Sequence, residues 1–179
     1  MAIMTGEVDI SRRNLLRGAP VSTAAPVRPP GAADEPEFIE GCTACGECVN
    51  ACPEGIIING AAGYPEVDFR RGECTFCSEC IDACPEPVLS ANTQPLWRLN
   101  LQVNEQCLAE KRVICQTCGD ICDQQAIRFI PRIGDVAVPE IQQQDCNGCG
   151  ACVSACPEDA LQLVTIKSVR PDEGADQHV

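Results

Sequence analysis

The sequence predicts a small α+β protein in which four repeats, built from short hairpins and short helices, pair into two tandem units. The chain has 179 residues, and 16 of them are cysteine. The cysteines fall into four groups that begin at Cys42, Cys74, Cys107 and Cys146, which is a repeat of roughly 30 to 40 residues. Aromatic residues make up 3% of the chain, too few for a large apolar core, so bound metal or disulfides must contribute to stability.

The segments between the groups predict two hairpins. Residues 56–58 and 65–69 flank a glycine-rich turn, and residues 127–130 and 136–138 repeat this strand, turn and strand pattern. Residues 97–103 alternate apolar and polar side chains, which predicts a strand with one buried face. The helices are expected to be short and to carry the last two cysteines of a group.

Three of the four cysteine groups have the same spacing, Cys-x2-Cys-x2-Cys-x3-Cys followed by proline. They occupy residues 42–53, 74–85 and 146–157. Bacterial two-cluster ferredoxins hold [4Fe–4S] clusters with this run, and its fourth cysteine binds the other cluster. The proline ends the short helix behind that cysteine. The spacing therefore predicts bacterial-type 2[4Fe–4S] ferredoxin-like units in which two groups interlock.

The third group is irregular. Seven residues separate Cys107 from Cys115, Cys118 and Cys122 follow, and Asp123 stands where the other groups have proline. Because all four thiols are present, we expect a cluster here too, which makes four [4Fe–4S] clusters in the chain. The alternative is a degenerate group that holds a [3Fe–4S] cluster or none.

A small residue is expected after the second cysteine of each group, namely Gly46, Ser78, Gly119 and Gly150. Such a residue tolerates unusual backbone angles and lets the chain approach a cluster closely. Backbone N–H groups can then point at cluster sulfurs, which is one of the factors that set a reduction potential.

Loop lengths favour a sequential pairing of the groups. Residues 53–73 and 123–145 each contain a predicted hairpin, so we pair the first group with the second and the third with the fourth. The expected metal ligands are then Cys42, Cys45, Cys48 and Cys84; Cys74, Cys77, Cys80 and Cys52; Cys107, Cys115, Cys118 and Cys156; and Cys146, Cys149, Cys152 and Cys122. The alternative nests the second and third groups inside the first and fourth, as in the four-cluster electron-transfer subunits of molybdenum enzymes.

Disulfides and zinc suit this pattern poorly. Disulfides need an oxidising compartment and are expected at irregular spacing, whereas zinc sites use paired Cys-x2-Cys motifs with a longer gap between the pairs. A run of four evenly placed cysteines that occurs three times fits neither. The only histidine, His178, lies in the polar tail and is expected to be solvated rather than a ligand.

The predicted organisation has four parts. Residues 1–36 form a basic arm and a Pro/Ala-rich linker, residues 37–95 and 96–167 form the two-cluster units, and residues 168–179 form a flexible acidic tail. The net charge of −13 argues against nucleic acid or an anionic membrane as a partner. No apolar run approaches the roughly 18 residues of a membrane span, and no nucleotide or flavin motif indicates an enzyme.

The arm contains a short motif, residues 11–17, that looks like a twin-arginine export signal. An export signal needs an apolar region next, but residues 18–28 contain two prolines and no Leu, Ile or Phe. We therefore expect the arm to stay attached as an amphipathic segment that binds a partner. Its candidate partner-binding residues are Ile10, Arg12, Arg13, Leu15, Leu16 and Arg17.

Together these features resemble the NapF family, the ferredoxin-type accessory proteins of the periplasmic nitrate reductase system. The resemblance covers most of the chain and rests on residues 11–13, 28–30, 63–69, 107–109 and 146–152. It implies a cytoplasmic iron–sulfur protein that binds the catalytic subunit of nitrate reductase before export and supports assembly of its [4Fe–4S] cluster. The alternatives are an electron-relay iron–sulfur subunit and a general electron-transfer ferredoxin. The acidic charge and the Ala/Pro-rich linker, residues 19–36, depart from the family pattern.

Overall fold

The computed structural model describes residues 25–92 and 95–166. The basic arm lies outside the described residues, and with it the candidate partner-binding residues Ile10, Arg12, Arg13, Leu15, Leu16 and Arg17. The same holds for the predicted tail, 168–179, and for His178. Of the predicted first part of the chain, 1–36, the structure describes residues 25–36.

The described residues form short helices and short antiparallel strands, as the sequence predicts. The first half contains α1 (Glu35–Gly41), α2 (Glu47–Ala51), β1 (Ile57–Asn59), a 3₁₀ turn (Ala61–Gly63), β2 (Pro65–Val67) and α3 (Glu79–Asp82). The second half contains β3 (Leu99–Val103), α4 (Thr117–Asp120), β4 (Ile127–Ile130), β5 (Val138–Ile141), α5 (Ala151–Ala155) and β6 (Leu161–Thr165). None of the described helices has the length and apolar character needed to cross a membrane.

Three two-stranded antiparallel sheets organise these elements. β1 pairs with β2 and places Ile57 opposite Val67, and β4 pairs with β5 and places Ile127 opposite Ile141. β3 pairs with β6, the last strand, so the second half begins and ends in one sheet. The predicted strand at 97–103 is confirmed from Leu99 onward, with buried and more exposed residues alternating at its start.

The second hairpin differs from its prediction in its second strand. The sequence predicts a strand at 136–138, but β5 overlaps that range only at its last residue. The Asp135 carboxylate accepts a hydrogen bond from the backbone N–H of Val136 at 2.8 Å. This local contact holds the residues before β5 in the turn, because a short polar side chain competes with the strand for backbone N–H groups.

Each of the helices α2 to α5 carries the third cysteine of a group. These cysteines are Cys48, Cys80, Cys118 and Cys152, and the fourth cysteine of each group lies just beyond the end of the helix. The expectation that the helices carry both cysteines is therefore half right. α2 packs against α3, and α4 packs against α5, so the two halves repeat one arrangement.

Residues 25–36, here called the strap, pack against the first unit. The backbone N–H of Val67 donates to the carbonyl oxygen of Val27 at 2.8 Å. The indole N–H of Trp97 donates to the carbonyl oxygen of Arg28 at 3.0 Å. The sequence predicts a loose linker here, but these bonds order the described end of that linker and tie it to residues far along the chain.

The side chain of Arg28 holds the strap in place. Its guanidinium group makes a bidentate pair with the Glu35 carboxylate, at 2.6 and 2.9 Å, and donates to the carbonyl oxygen of Pro65 at 3.0 Å. Its Cζ atom also lies 5.2 Å from the ring centre of Phe38 and 5.7 Å from that of Tyr64. The Arg28 side chain is 11% exposed and that of Glu35 is 48% exposed, so water screens the ion pair in part.

The substitution Arg28→Ala is expected to lower the free energy of unfolding by about 2–3 kcal/mol, because it removes a charged bidentate pair and two cation–π contacts. Arg70→Ala is the matched control, since Arg70 pairs with Asp68 at 3.1 Å but is 71% exposed. Its loss is expected to change the unfolding free energy by less than about 0.5 kcal/mol. Anaerobic guanidinium unfolding measures both values. Equal unfolding midpoints for the two variants would contradict the role assigned to Arg28.

Candidate metal centre

The structure brings the sixteen cysteine side chains into four sets of four. Set A is Cys42, Cys45, Cys48 and Cys84; set B is Cys52, Cys74, Cys77 and Cys80; set C is Cys107, Cys115, Cys118 and Cys156; and set D is Cys122, Cys146, Cys149 and Cys152. Each set takes three cysteines from one group and the fourth from the other group of the same unit. These are the sets of the sequential pairing.

Sets A, B and C each line a cavity. The three cavities are narrow and similar in size. Apolar side chains complete the walls, among them Leu89 in set A, Ile56 in set B and Leu108 in set C. Leu108 belongs to the segment that widens the third group, so this segment forms part of the wall and leaves a cavity as large as the other two.

The turns that bend the chain around three of the sets share one backbone conformation. Gly46, Ser78 and Gly150 have φ values of 81°, 65° and 87° and lie immediately before α2, α3 and α5. Glycine adopts this left-handed conformation at low cost because it has no Cβ atom, and Ser78 adopts it with a small side chain. The turn starts each helix at once, so that its third cysteine points back toward the first two.

The third group makes this turn differently, because Gly119 does not adopt the expected unusual backbone angles. Gly119 follows the third cysteine rather than the second and lies inside α4. The residue before α4 is Gln116, with an ordinary φ of −132°. Gly119 instead gives room to the Phe129 ring, which would lie 2.9 Å from a Cβ atom at that position. The small residue is thus needed for packing between α4 and β4.

Backbone N–H groups approach sulfur most clearly in sets B and C. The N–H of Phe76 donates to Sγ of Cys74 at 3.4 Å, and the N–H of Ala160 donates to Sγ of Cys156 at 3.3 Å. Such bonds favour the thiolate form and raise the reduction potential of a bound cluster. The expected hydrogen bonds from backbone N–H groups to sulfur are therefore present at Cys74 of set B and at Cys156 of set C.

Burial makes several of the cysteine thiols poor acids in the absence of metal. The pKa of Cys48 is raised to about 11, first by burial and next by nearby thiolates, Cys84 above all. Burial likewise raises the pKa of Cys80 and that of Cys152 to about 12. Four thiolates in one cavity therefore need a bound cation to neutralise them, and metal binding deprotonates a coordinating thiol outright.

The arrangement fits four-iron clusters rather than single ions or disulfides. All sixteen cysteines lie among the described residues, and none of them forms a disulfide. No group of three or more His, Cys, Asp or Glu side chains within residues 25–92 and 95–166 is arranged to hold one metal ion. Each thiolate of a [4Fe–4S] cluster binds a different iron, so its four sulfurs lie farther apart than the ligands of one tetrahedral zinc.

Comparison with protein families finds the same two-part organisation. Residues 41–89 and residues 111–160 each match the family described as "4Fe-4S dicluster domain". Each match covers two consecutive cysteine groups, except that Cys107 precedes the second match. The chain therefore carries two tandem iron–sulfur domains, which confirms the predicted fold class.

Individual proteins are similar to this chain over most of its length. The ferredoxin-type protein NapF of Escherichia coli K12 is 41% identical over 155 residues, which cover 87% of this chain and 94% of that protein. The ferredoxin-type protein NapF of Haemophilus influenzae is 44% identical over 141 residues, covering 79% and 80%. The methylamine utilization ferredoxin-type protein MauM of Methylophilus methylotrophus is 31% identical over 170 residues, covering 84% and 75%.

Proposed function

The chain belongs to the NapF family of ferredoxin-type proteins, and on this premise we propose that it is a cytoplasmic accessory factor for the catalytic subunit of periplasmic nitrate reductase. It binds the precursor of that subunit before export and supports assembly of its iron–sulfur cluster. The observation that carries the proposal is the identity of 41% to a NapF protein across 87% of the chain. The protein itself is an electron carrier and not an enzyme.

The sixteen cysteines are proposed to hold four [4Fe–4S] clusters, one in each of sets A to D. A bound cluster supplies a one-electron couple. The chain supplies the thiolates, the apolar walls that exclude water, and the backbone N–H groups that adjust the potential. The close resemblance of the set C cavity to those of sets A and B supports a full cluster in the irregular third group.

Anaerobically purified protein is expected to contain about sixteen irons and as many sulfides, because four sets of four thiolates each accept a four-iron cluster. The variant Cys107→Ser is expected to lose iron from set C alone. Cys107 lies outside the second domain match, residues 111–160, but it lines the set C cavity. Iron analysis and EPR measure the cluster content of the unaltered protein and of the variant. About twelve irons in the unaltered protein, or no loss of iron in the variant, would show that set C holds no four-iron cluster.

The arm is proposed to dock on the nitrate reductase precursor. Three of its residues, Arg12, Arg13 and Arg17, are basic in a chain whose net charge is −13. Attraction between opposite charges speeds the encounter of two proteins, whereas apolar contacts mainly slow their separation. The arginines should therefore set the association rate, and Leu15 and Leu16 the lifetime of the complex.

Replacement of both Arg12 and Arg13 by alanine is expected to weaken capture of the tagged precursor, with iron content unchanged. Replacement of Leu15 and Leu16 is expected to weaken it too, with less dependence on salt, because salt screens charges. Replacement of Arg70 and Arg71 is the control, since it removes the same charge from two exposed residues outside the arm. Co-purification at two salt concentrations compares the variants.

Two results would contradict this role for the arm. One is mature protein in the periplasm from which residues 1–18 have been cleaved. The other is unaltered capture of the precursor after deletion of residues 1–18. Capture that survives the deletion would show that another part of the chain binds the precursor, whereas no capture by the unaltered protein would favour a free electron-transfer ferredoxin.

A further inference from the structure

One hydrogen bond joins the ligand loops of the two units directly. The backbone N–H of Cys74, in set B, donates to the carbonyl oxygen of Cys149, in set D, at 2.7 Å. Both residues belong to the sets themselves, so no other side chain stands between the two loops at this point. This hydrogen bond, here called the junction, connects the backbone at a proposed cluster of one unit directly to the backbone at a proposed cluster of the other.

A glycine makes this close approach possible. Gly150 follows Cys149 and has a φ of 87°. A Cβ atom at Gly150 would overlap the ring of Phe69, which is 5% exposed and belongs to the first unit. The corresponding residue of the second group is Ser78, with a φ of 65°, so the turn itself accepts a side chain. Glycine at position 150 is therefore needed for the contact with Phe69 and not for the turn.

Aromatic rings surround the junction. The ring of Trp97 lies 5.4 Å from that of Phe69 and 5.8 Å from that of Phe76, both edge to face. Phe76 lies between two cysteines of set B, and Trp97 precedes the first strand of the second unit. The rings pack apolar side chains between the units and fix the two loops relative to each other, while Phe76 and Trp97 stay partly exposed.

The sets follow one another in a single order. Inside the first unit, α2 and α3 pack together and bring Cys48 of set A beside Cys80 of set B. Inside the second unit, α4 and α5 bring Cys118 of set C beside Cys152 of set D. With the junction between sets B and D, the order is A, B, D, C.

We infer that the hydrogen bond from Cys74 to Cys149 is the junction through which the two units exchange electrons, so that sets A and C are the two ends of one path. The inference rests on the proposed cluster content. One electron leaves a reduced cluster of one unit and enters an oxidised cluster of the other. No proton moves, no bond forms or breaks, and no further reactant takes part.

EPR spectroscopy of the whole protein, fully reduced with dithionite, tests this inference without any substitution. Reduced clusters that lie close together broaden one another's signals. We expect a spectrum that requires coupling across all four clusters, because set B adjoins set D. A spectrum that two independent pairs of coupled clusters reproduce fully would overturn the inference.

The variant Gly150→Ala tests the junction itself. Its Cβ atom must displace Phe69, so the coupling between the two units is expected to be lost and the spectrum to become that of two independent pairs. Gly134→Ala is the control, because Gly134 has a φ of 74° and open space around its Cβ position, in a turn outside the four sets. If Gly150→Ala keeps the coupling between the two units and contains as much iron as Gly134→Ala, the role inferred for the junction is wrong.

Iron content separates this inference from the function on which it rests. Unaltered protein with clearly fewer than about sixteen irons contradicts the proposed four clusters. Full iron content with two uncoupled pairs contradicts the junction alone.

Discussion

Anaerobic removal of iron with a chelator is expected to unfold the region from Cys42 to Cys156. Few large side chains are fully buried among the described residues, namely Phe38, Ile56, Leu101 and Pro29. Three of the buried apolar residues are themselves cysteines of the proposed sets, Cys48, Cys80 and Cys152. The core is thus built around the metal sites, so the free energy of metal binding becomes free energy of folding.

The secondary structure cannot replace the missing metal. The described helices are four to seven residues long, far below the length at which an isolated helix is stable in water. Each sheet has two strands, and an isolated two-stranded hairpin is marginal at best. Without iron, the Cys80 thiol must also stay protonated, because burial first and nearby thiolates next raise its pKa to about 12.

Far-ultraviolet circular dichroism and iron release, followed together during chelation, measure this effect. The two signals are expected to change together, and readdition of iron and sulfide is expected to restore both. A protein treated in parallel without chelator controls for slow oxidation. A native dichroism spectrum in protein that has lost its iron would show that the apolar core is sufficient by itself.

The sequence predicts local features of this fold well because they depend on local spacing. The first hairpin lies within two residues of its predicted strands, since a glycine-rich turn between β-branched residues has few other solutions. The sets of cysteines follow from the loop lengths between the groups in the same way. The displaced strand β5 shows the limit, because one hydrogen bond to Asp135 shifted its start.

Contacts between distant residues could not be predicted from the same patterns. The pairing of β3 with β6 joins residues about 60 positions apart, and no turn signal marks such a pair. The strap looked like a linker because it is rich in Ala and Pro, yet Arg28 binds it to side chains that lie further along the chain. The role of Gly119 also depended on Phe129, which follows it in the next strand.

The substitution Cys84→Ala is expected to open set A, although Cys84 belongs to the second cysteine group. The pKa of Cys48 rises mainly through burial and next through the Cys84 thiolate, which places these two sulfurs side by side. Cys84 also lines the set A cavity. Loss of one thiolate leaves an iron without its protein ligand, so this cluster should be the first to release iron to a chelator.

Alkylation after brief chelation, mapped by mass spectrometry, identifies the cysteines of the opened cluster. Sequential pairing predicts that Cys84→Ala exposes Cys42, Cys45 and Cys48, whereas nested pairing predicts that it exposes Cys107, Cys115 and Cys118. Cys156→Ala is the reciprocal control. For this variant, sequential pairing predicts exposure of Cys107, Cys115 and Cys118, and nested pairing predicts exposure of Cys42, Cys45 and Cys48. Since each fourth cysteine lies just beyond its helix and faces the neighbouring set, we expect the sequential result in both variants. The nested result in either variant would refute the proposed ligand sets.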